Sequence, residues 1–198
     1  MYRKVLKVLI RLIIVIVLIV FIAGIGLFFY IQPDEPIALA DPVKVPLGDR
    51  IEEMIHNRGL KFTITEAEMN GYASEEVRKL LANQSDETAW NSYRITGLML
   101  NTEPNQVKVR AQVEAVFGIK AEVFIDINLI WDGVNQQVCM VPTSFRVKDI
   151  ALPVEWLHIP EQALTISLQP ILPKWVYVKE LTLQDEGLLV QLGLNILN

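Results

Sequence analysis

The chain has 198 residues, 52% of them hydrophobic, with 18 basic and 23 acidic side chains and a formal net charge of −5. Residues 1–31 hold four basic side chains (Arg3, Lys4, Lys7, Arg11) and no acid, so the rest of the chain sets 14 basic against 23 acidic residues and stands near −9. A surface of that sign repels phosphate backbones and anionic headgroups, which sets nucleic-acid binding aside, and the single cysteine, Cys139, excludes an intramolecular disulfide.

Leu12–Ile31 reads LIIVIVLIVFIAGIGLFFYI, without a charge. That is the ~20 residues a helix needs to cross ~30 Å of hydrocarbon. Basic residues precede the run, and Asp34 and Glu35 follow it. The positive-inside rule then predicts a single-pass membrane protein with a cytoplasmic N-terminus and an extracytoplasmic C-terminal domain. Phe28, Phe29 and Tyr30 stand where an outer aromatic belt belongs. A signal peptide cleaved after Ala38-Leu39-Ala40 is the competing reading. Against it, the apolar run exceeds the usual ~7–15 residues of a signal core and the site lies well beyond its end.

Residues 32–48 carry Pro33, Pro36, Pro42 and Pro46 and read as a linker. Fully extended, it would reach roughly 50 Å at ~3.1 Å per residue; its later part packing onto the domain is the alternative. Residues 49–198 form the extracytoplasmic domain. Asp49 is placed to cap a short helix through Ile51, Met54 and Ile55 that ends at Gly59. Phe62-Thr63-Ile64 reads as a brief strand or a hydrophobic staple. Thr65 and Glu68 form a capping box, each satisfying the other's backbone at a helix start. Met69, Tyr72, Ala73, Val77, Leu80 and Leu81 then predict a helix over about 66–82 with one apolar stripe.

From Tyr93 the period becomes two. A strand over 93–100 and a turn at 101–106 lead to Val107, Val109, Ala111, Val113 and Ala115, alternating with Lys108, Arg110, Gln112 and Glu114. Ile119, Ala121, Val123, Ile125, Ile127, Leu129 and Trp131 continue the pattern, with Phe124 and Ile130 as exceptions on the polar side. These are strands apolar on one face and wet on the other. Phe117-Gly118 and Asp132-Gly133 mark the turns, the second a strong hairpin signal. Further strands fall near 137–147, 175–183 and 188–194, and Pro160 opens a short helix through Ala163, Leu164 and Leu168 that Pro170 and Pro173 stop. A helix followed by a strand meander is α+β with an antiparallel sheet. Five or six such strands offer an apolar face of roughly 800 Å², against the roughly 540 Å² that three short helices shadow. The sheet then either curls on its own side chains or leaves a groove for an apolar guest.

Chemistry-bearing patterns are absent. His56 and His158 have no metal-ligand spacing, and no nucleophile elbow, phosphate loop or dinucleotide fingerprint occurs. Glu52-Glu53, Glu75-Glu76 and Asp185-Glu186 read as solvated faces rather than glycosidase pairs, Asn70 as a hydrogen-bonding partner of a neighbouring strand, and Cys139 as a small core hydrophobe. No enzyme activity, cofactor or metal is expected.

The F-T-I-T-E-A-E-M-N run at 62–70 is similar to a helix opening found in several membrane-anchored or exported bacterial β-sheet families. Residues 107–160, with alternating strands, a turn, I-A-L-P-V at 150–154 and I-P at 159–160, resemble the YpmS-like family of uncharacterised bacterial membrane-anchored proteins. The order of elements also resembles tubular lipid-binding (TULIP-like) domains. That resemblance implies a curved antiparallel sheet wrapped around or packed on one main helix, and a lipid-handling role. The expected function is a non-catalytic, membrane-anchored domain that binds or shuttles lipid or another apolar ligand, facing it with Val109, Ala111, Val113, Ile119, Val123, Ile125, Ile127 and Leu129. The alternative is a cell-envelope interaction or scaffold module with a dry core and no ligand. The protein partner is unknown.

Overall fold

In a computed structural model of the chain, residues 2–43, 49, 52, 56, 61–83, 93–115, 118–157, 159, 164–169 and 172–194 are described. The N-terminal helix α1 spans Tyr2–Tyr30, and its apolar side chains from Ile16 onward are exposed, Val20 at 64% and Phe21 at 67%. Side chains of α1 are described only from Ile16, and among the described residues no helix is long and apolar enough to cross a membrane.

The remainder is α+β, with two antiparallel sheets among the described residues. The smaller joins β1 (Lys61–Thr65), β9 (Gly187–Leu194) and β8 (Val176–Gln184) in the order β1-β9-β8. The larger runs β2 (Tyr93–Glu103), β3 (Gln106–Ala115), β4 (Lys120–Asp132), β5 (Gln137–Val147) and β6 (Ile150–Leu152). A short β7 (Thr165–Ser167) pairs with the first residues of β5. The larger sheet is strongly curled into a half-barrel.

Why one face of that sheet is apolar follows from its register. Across β3 and β4, Val109 pairs with Ile125, Ala111 with Val123 and Val113 with Ala121. Neighbouring strands keep this phase through bulges, each adding one residue and switching the inward parity. Thr96 is the extra residue in β2, so Ile95 is followed inward by Leu98 and Leu100. Thr143 does the same in β5, where Val138, Met140 and Pro142 give way to Phe145 and Val147. In the smaller sheet Lys179 switches β8 from Val176 and Val178 to Leu181 and Leu183.

The main helix α2 spans Glu66–Asn83 and starts as its capping box predicts. Thr65 N donates to Glu68 Oε2 at 2.8 Å and Glu68 N to Thr65 Oγ1 at 3.3 Å. Met69 and Tyr72 pack on the core, and Val77 is buried. Leu80, assigned to the same stripe, is instead 64% exposed, because α2 lies along the edge of β2 rather than over a sheet face. That edge is satisfied by side chains. Asn70 Nδ2 donates to Leu100 O at 2.8 Å, Leu100 N donates to Asn70 Oδ1 at 2.6 Å, and Thr102 N donates to Glu66 Oε1. The helix thereby removes an open strand edge that would otherwise invite pairing.

The segment after α1 does not stand off as a spacer through residue 43. It crosses the outer face of the larger sheet as a strap, perpendicular to the strands. Glu122 N donates to Ile31 O at 3.3 Å, Gln112 Nε2 donates to Glu35 O, and Ile37 O lies 2.1 Å from where a Cβ on Gly97 would sit. Gly97, Gln112 and Glu122 are partners in one row across β2, β3 and β4, so the strap follows a single line. It then passes onto α2, where Ala40 N donates to Ser74 Oγ at 3.0 Å and Arg78 Nη2 to Ala40 O at 2.6 Å. Val43 meets the helix at Gly71, where a Cβ would come within 2.5 Å of its side chain. Ser74, Gln112 and Glu122 are buried for this reason.

Two further expectations change. The helix expected through Leu164 and Leu168 is strand at Thr165–Ser167, since β6 leaves the start of β5 unpaired and β-branched Thr165 and Ile166 suit the ladder; Pro160 and Ala163 lie outside the described residues. The 132–133 turn is a four-residue loop, Gly133–Gln136, with positive φ at Gln136 rather than Gly133. Asp132 Oδ1 organises it by accepting from Val134 N at 3.0 Å and Asn135 N at 3.1 Å. Of the predicted 49–59 helix, Asp49, Glu52 and His56 are helical, and the others lie outside the described residues, as do Phe117 and His158.

Candidate functional site

The inner faces of the two sheets meet at the far end of β4 and β5. The smaller sheet contributes Phe62, Ile64, Val178, Val190 and Leu192, all buried, with Val178 and Leu192 at 2% exposure. The larger contributes Leu129, Val138, Met140 and Ile166. Between them lies a cavity of about 280 Å³ lined wholly by carbon and sulfur, closed on one side by Leu168 and Leu172. A cavity without polar partners does not hold ordered water.

Next to it, sharing Leu172, is a second cavity of about 420 Å³ bounded by Gln136, Gln169, Pro173, Lys174, Val176 and Tyr177. Polar and apolar surface both line this one. Gln136 ties the two sheets together at its wall: its Nε2 donates to Val178 O at 3.0 Å while its Oε1 accepts from Val178 N at 2.7 Å. One amide side chain so occupies the outer edge of β8 as a neighbouring strand would.

Of the eight side chains expected to face a ligand, Leu129 alone lines the apolar cavity. Val109, Ala111, Val113, Val123, Ile125 and Ile127 share its face of the sheet by register, but nearer the other end, where Ala111 is buried and the others are half-buried. Ile119 precedes β4, closing the β3–β4 connection by accepting from Ala115 N at 2.7 Å. The residues missed, chiefly those of β1, β8 and β9, come from strands that alternate as clearly; their meeting with β4 and β5 is a matter of topology. Cys139 is corrected. It pairs with Ile130 on the outer face and is half-buried there, not in the core.

The outer face is polar where the strap crosses it. Arg110 Nε donates to Glu122 Oε1, and the Arg110 and Arg146 guanidinium groups lie 5.8 and 5.3 Å from the centre of the Phe124 ring. Phe124, an exception to the alternation, is thus held between two cations. Lys148 Nζ meets Asp34 Oδ1 at 2.8 Å, which holds the Lys148 ammonium above its ordinary pKa. The Asn135 side-chain amide, with the Asn135 and Val134 N–H groups, holds the Asp132 carboxyl below its ordinary range. Glu75 and Glu76 both pair with Lys79 on the exposed side of α2. Among the described residues no three His, Cys, Asp or Glu side chains come together as metal ligands.

No protein-family model matches the chain, nor does any curated protein or solved structure.

Proposed function

We propose that the chain is a non-catalytic, membrane-anchored extracytoplasmic domain that binds or shuttles lipid or another apolar ligand, in the manner of TULIP-like domains. The observation that carries this reading is the all-apolar cavity between the sheets, continuous by register with an apolar wall along β2 to β5. Its volume is just under the ~300–1,000 Å³ usual for ligand sites, and its lining gives recognition by burial alone. Each Å² of guest surface removed from water contributes about 25 cal/mol. No side chain at this cavity offers a nucleophile, acid or base, so binding is the chemistry it supports.

Anchoring rests on α1. Its sequence is uncharged from Leu12 to Ile31, and its apolar side chains from Ile16 are exposed all round, which a helix in water does not sustain. The basic residues before it orient the N-terminus to the cytoplasm.

The test is native mass spectrometry of the purified full chain, followed by analysis of what organic solvent extracts from it. A retained apolar molecule at one per chain is expected, and Leu129→Trp, which fills the cavity, should abolish it while the circular dichroism spectrum stays unchanged. A wild-type chain that retains nothing and takes up no fatty acid or phospholipid would refute the carrier reading. It would leave the scaffold alternative, for which the exposed outer-face residues Ile130 and Val141 are the supporting surface.

A further inference from the structure

We propose that the second cavity is a headgroup site, and that the ligand is a single-chain amphiphile whose anionic head, a carboxylate or a phosphate, sits by Lys174. This inference rests on the apolar-ligand reading and names the class of ligand.

The argument starts from the two volumes and their linings. At about 280 Å³ the apolar cavity falls just below the ~300–1,000 Å³ of usual ligand sites, which suits one short alkyl chain rather than the paired tails of a bilayer lipid. A chain filling it touches only carbon and sulfur, so whatever polar group it carries must lie outside. Across the shared Leu172 wall lies the 420 Å³ cavity, which has both polar and apolar lining. The geometry thus divides as an amphiphile does, into a dry end and a wet end sharing one wall.

The sign of the head follows from the side chains there. Lys174 is the charged residue of that lining, is exposed, and has no ion-pair or hydrogen-bond partner among the described residues. Gln169 adds a neutral amide, whereas the Gln136 amide is committed to Val178. Three donors on one ammonium, with no carboxylate among the described residues that line the cavity, suit an anion. The domain's net negative charge does not override this, since interactions beyond ~8–10 Å are screened at ordinary ionic strength while the local ammonium acts at contact.

The measurement is 13C NMR on the full chain in amphipol, titrated with carboxyl-labelled decanoate and, in parallel arms, with decyl phosphate and uncharged decan-1-ol. The anionic probes should bind more tightly than decan-1-ol. Lys174→Gln should weaken them about tenfold, leave decan-1-ol unchanged, and raise the titration midpoint of the bound carboxyl group. Whichever of decanoate and decyl phosphate shows the larger loss identifies the head. A Lys174→Arg variant restoring the preference separates charge from mere shape, and Leu129→Trp should remove all three probes. Equal binding of charged and uncharged probes, indifferent to Lys174→Gln, overturns the headgroup site and leaves the apolar cavity standing. If none of the three probes binds, both readings fall together.

Discussion

The two sheets share the same alternation but use it differently. In the smaller sheet Phe62, Ile64, Val176, Val178, Leu183, Val190 and Leu192 are dry, with Leu192 and Val178 at 2% exposure and Val190 at 5%, and only Leu181 and Leu188 at its margin are half-buried. In the larger sheet Val109, Val123, Ile125 and Ile127 are equally apolar, equally in phase, and only half-buried. The difference lies in what each opposes. The smaller sheet has its inward face against the end of the larger one and α2 beside it, whereas the larger curls past the region its partner covers. Period two therefore says which side chains share a face, and nothing about what lies on it.

The comparison can be broken at several points. The outer face of the larger sheet, not its inner wall, should give the largest effect. Starting the chain at Asp41 deletes the strap bonds to Glu122, Gln112, Ser74 and Arg78 and strands buried polar groups. At ~1 kcal/mol per bond the loss should be about 4 kcal/mol in urea unfolding; a stability equal to the full chain's would mean the strap is only laid against the sheet. Second, Leu192→Ala should cost about 3 kcal/mol, as deep truncations do, and Ile125→Ala roughly half of that because its site is already open. Equal losses in the same denaturant series would erase the distinction between dry and half-buried faces. Third, Gly97→Ala should cost about 2 kcal/mol by pushing its new methyl into the Ile37 carbonyl, and should increase amide exchange at Ala40. Smallest is the effect of acid on the β4–β5 loop. Asp132 has its pKa lowered by folding, so its contribution is present above the ordinary carboxylate range and is lost as pH falls through the depressed value. The Val134 and Asn135 amide resonances should move only below that ordinary range, and movement near neutral pH would contradict the assignment.

Much of this was legible in the residues. The capping box gave the start of α2 to the residue, Asn70 reached a strand as expected, and the β3–β4 wall could be read because no bulge interrupts the pairing between those strands. Where Thr96, Thr143 and Lys179 insert, the inward parity switches, and simple alternation assigns half of each strand to the wrong face. Cys139 is misleading for another reason: its apolar neighbours Val138, Met140 and Val141 suggest core, whereas it faces outward beside Ile130. The cavity was hidden for a different reason. It is made by β1 and β9, about 120 residues apart in the chain, pairing and closing over Leu129 and Met140. Alternation within a strand carries no record of that distant partner. The strap was equally obscure, since proline-rich sequence fits a free spacer and a surface-hugging segment alike.

The strap also sets how α1 and the sheets move together. Tyr30, the last residue of α1, donates its hydroxyl to Asp149 at 2.9 Å, and the very next residue is already bonded to β4. No free joint separates the two. Rotation or tilt of the helix about its axis is handed straight to the half-barrel, and the mouth of the cavity keeps a constant bearing to that axis. Handle and bowl are joined through these two bonds, so the cavity opens in one direction relative to the helix.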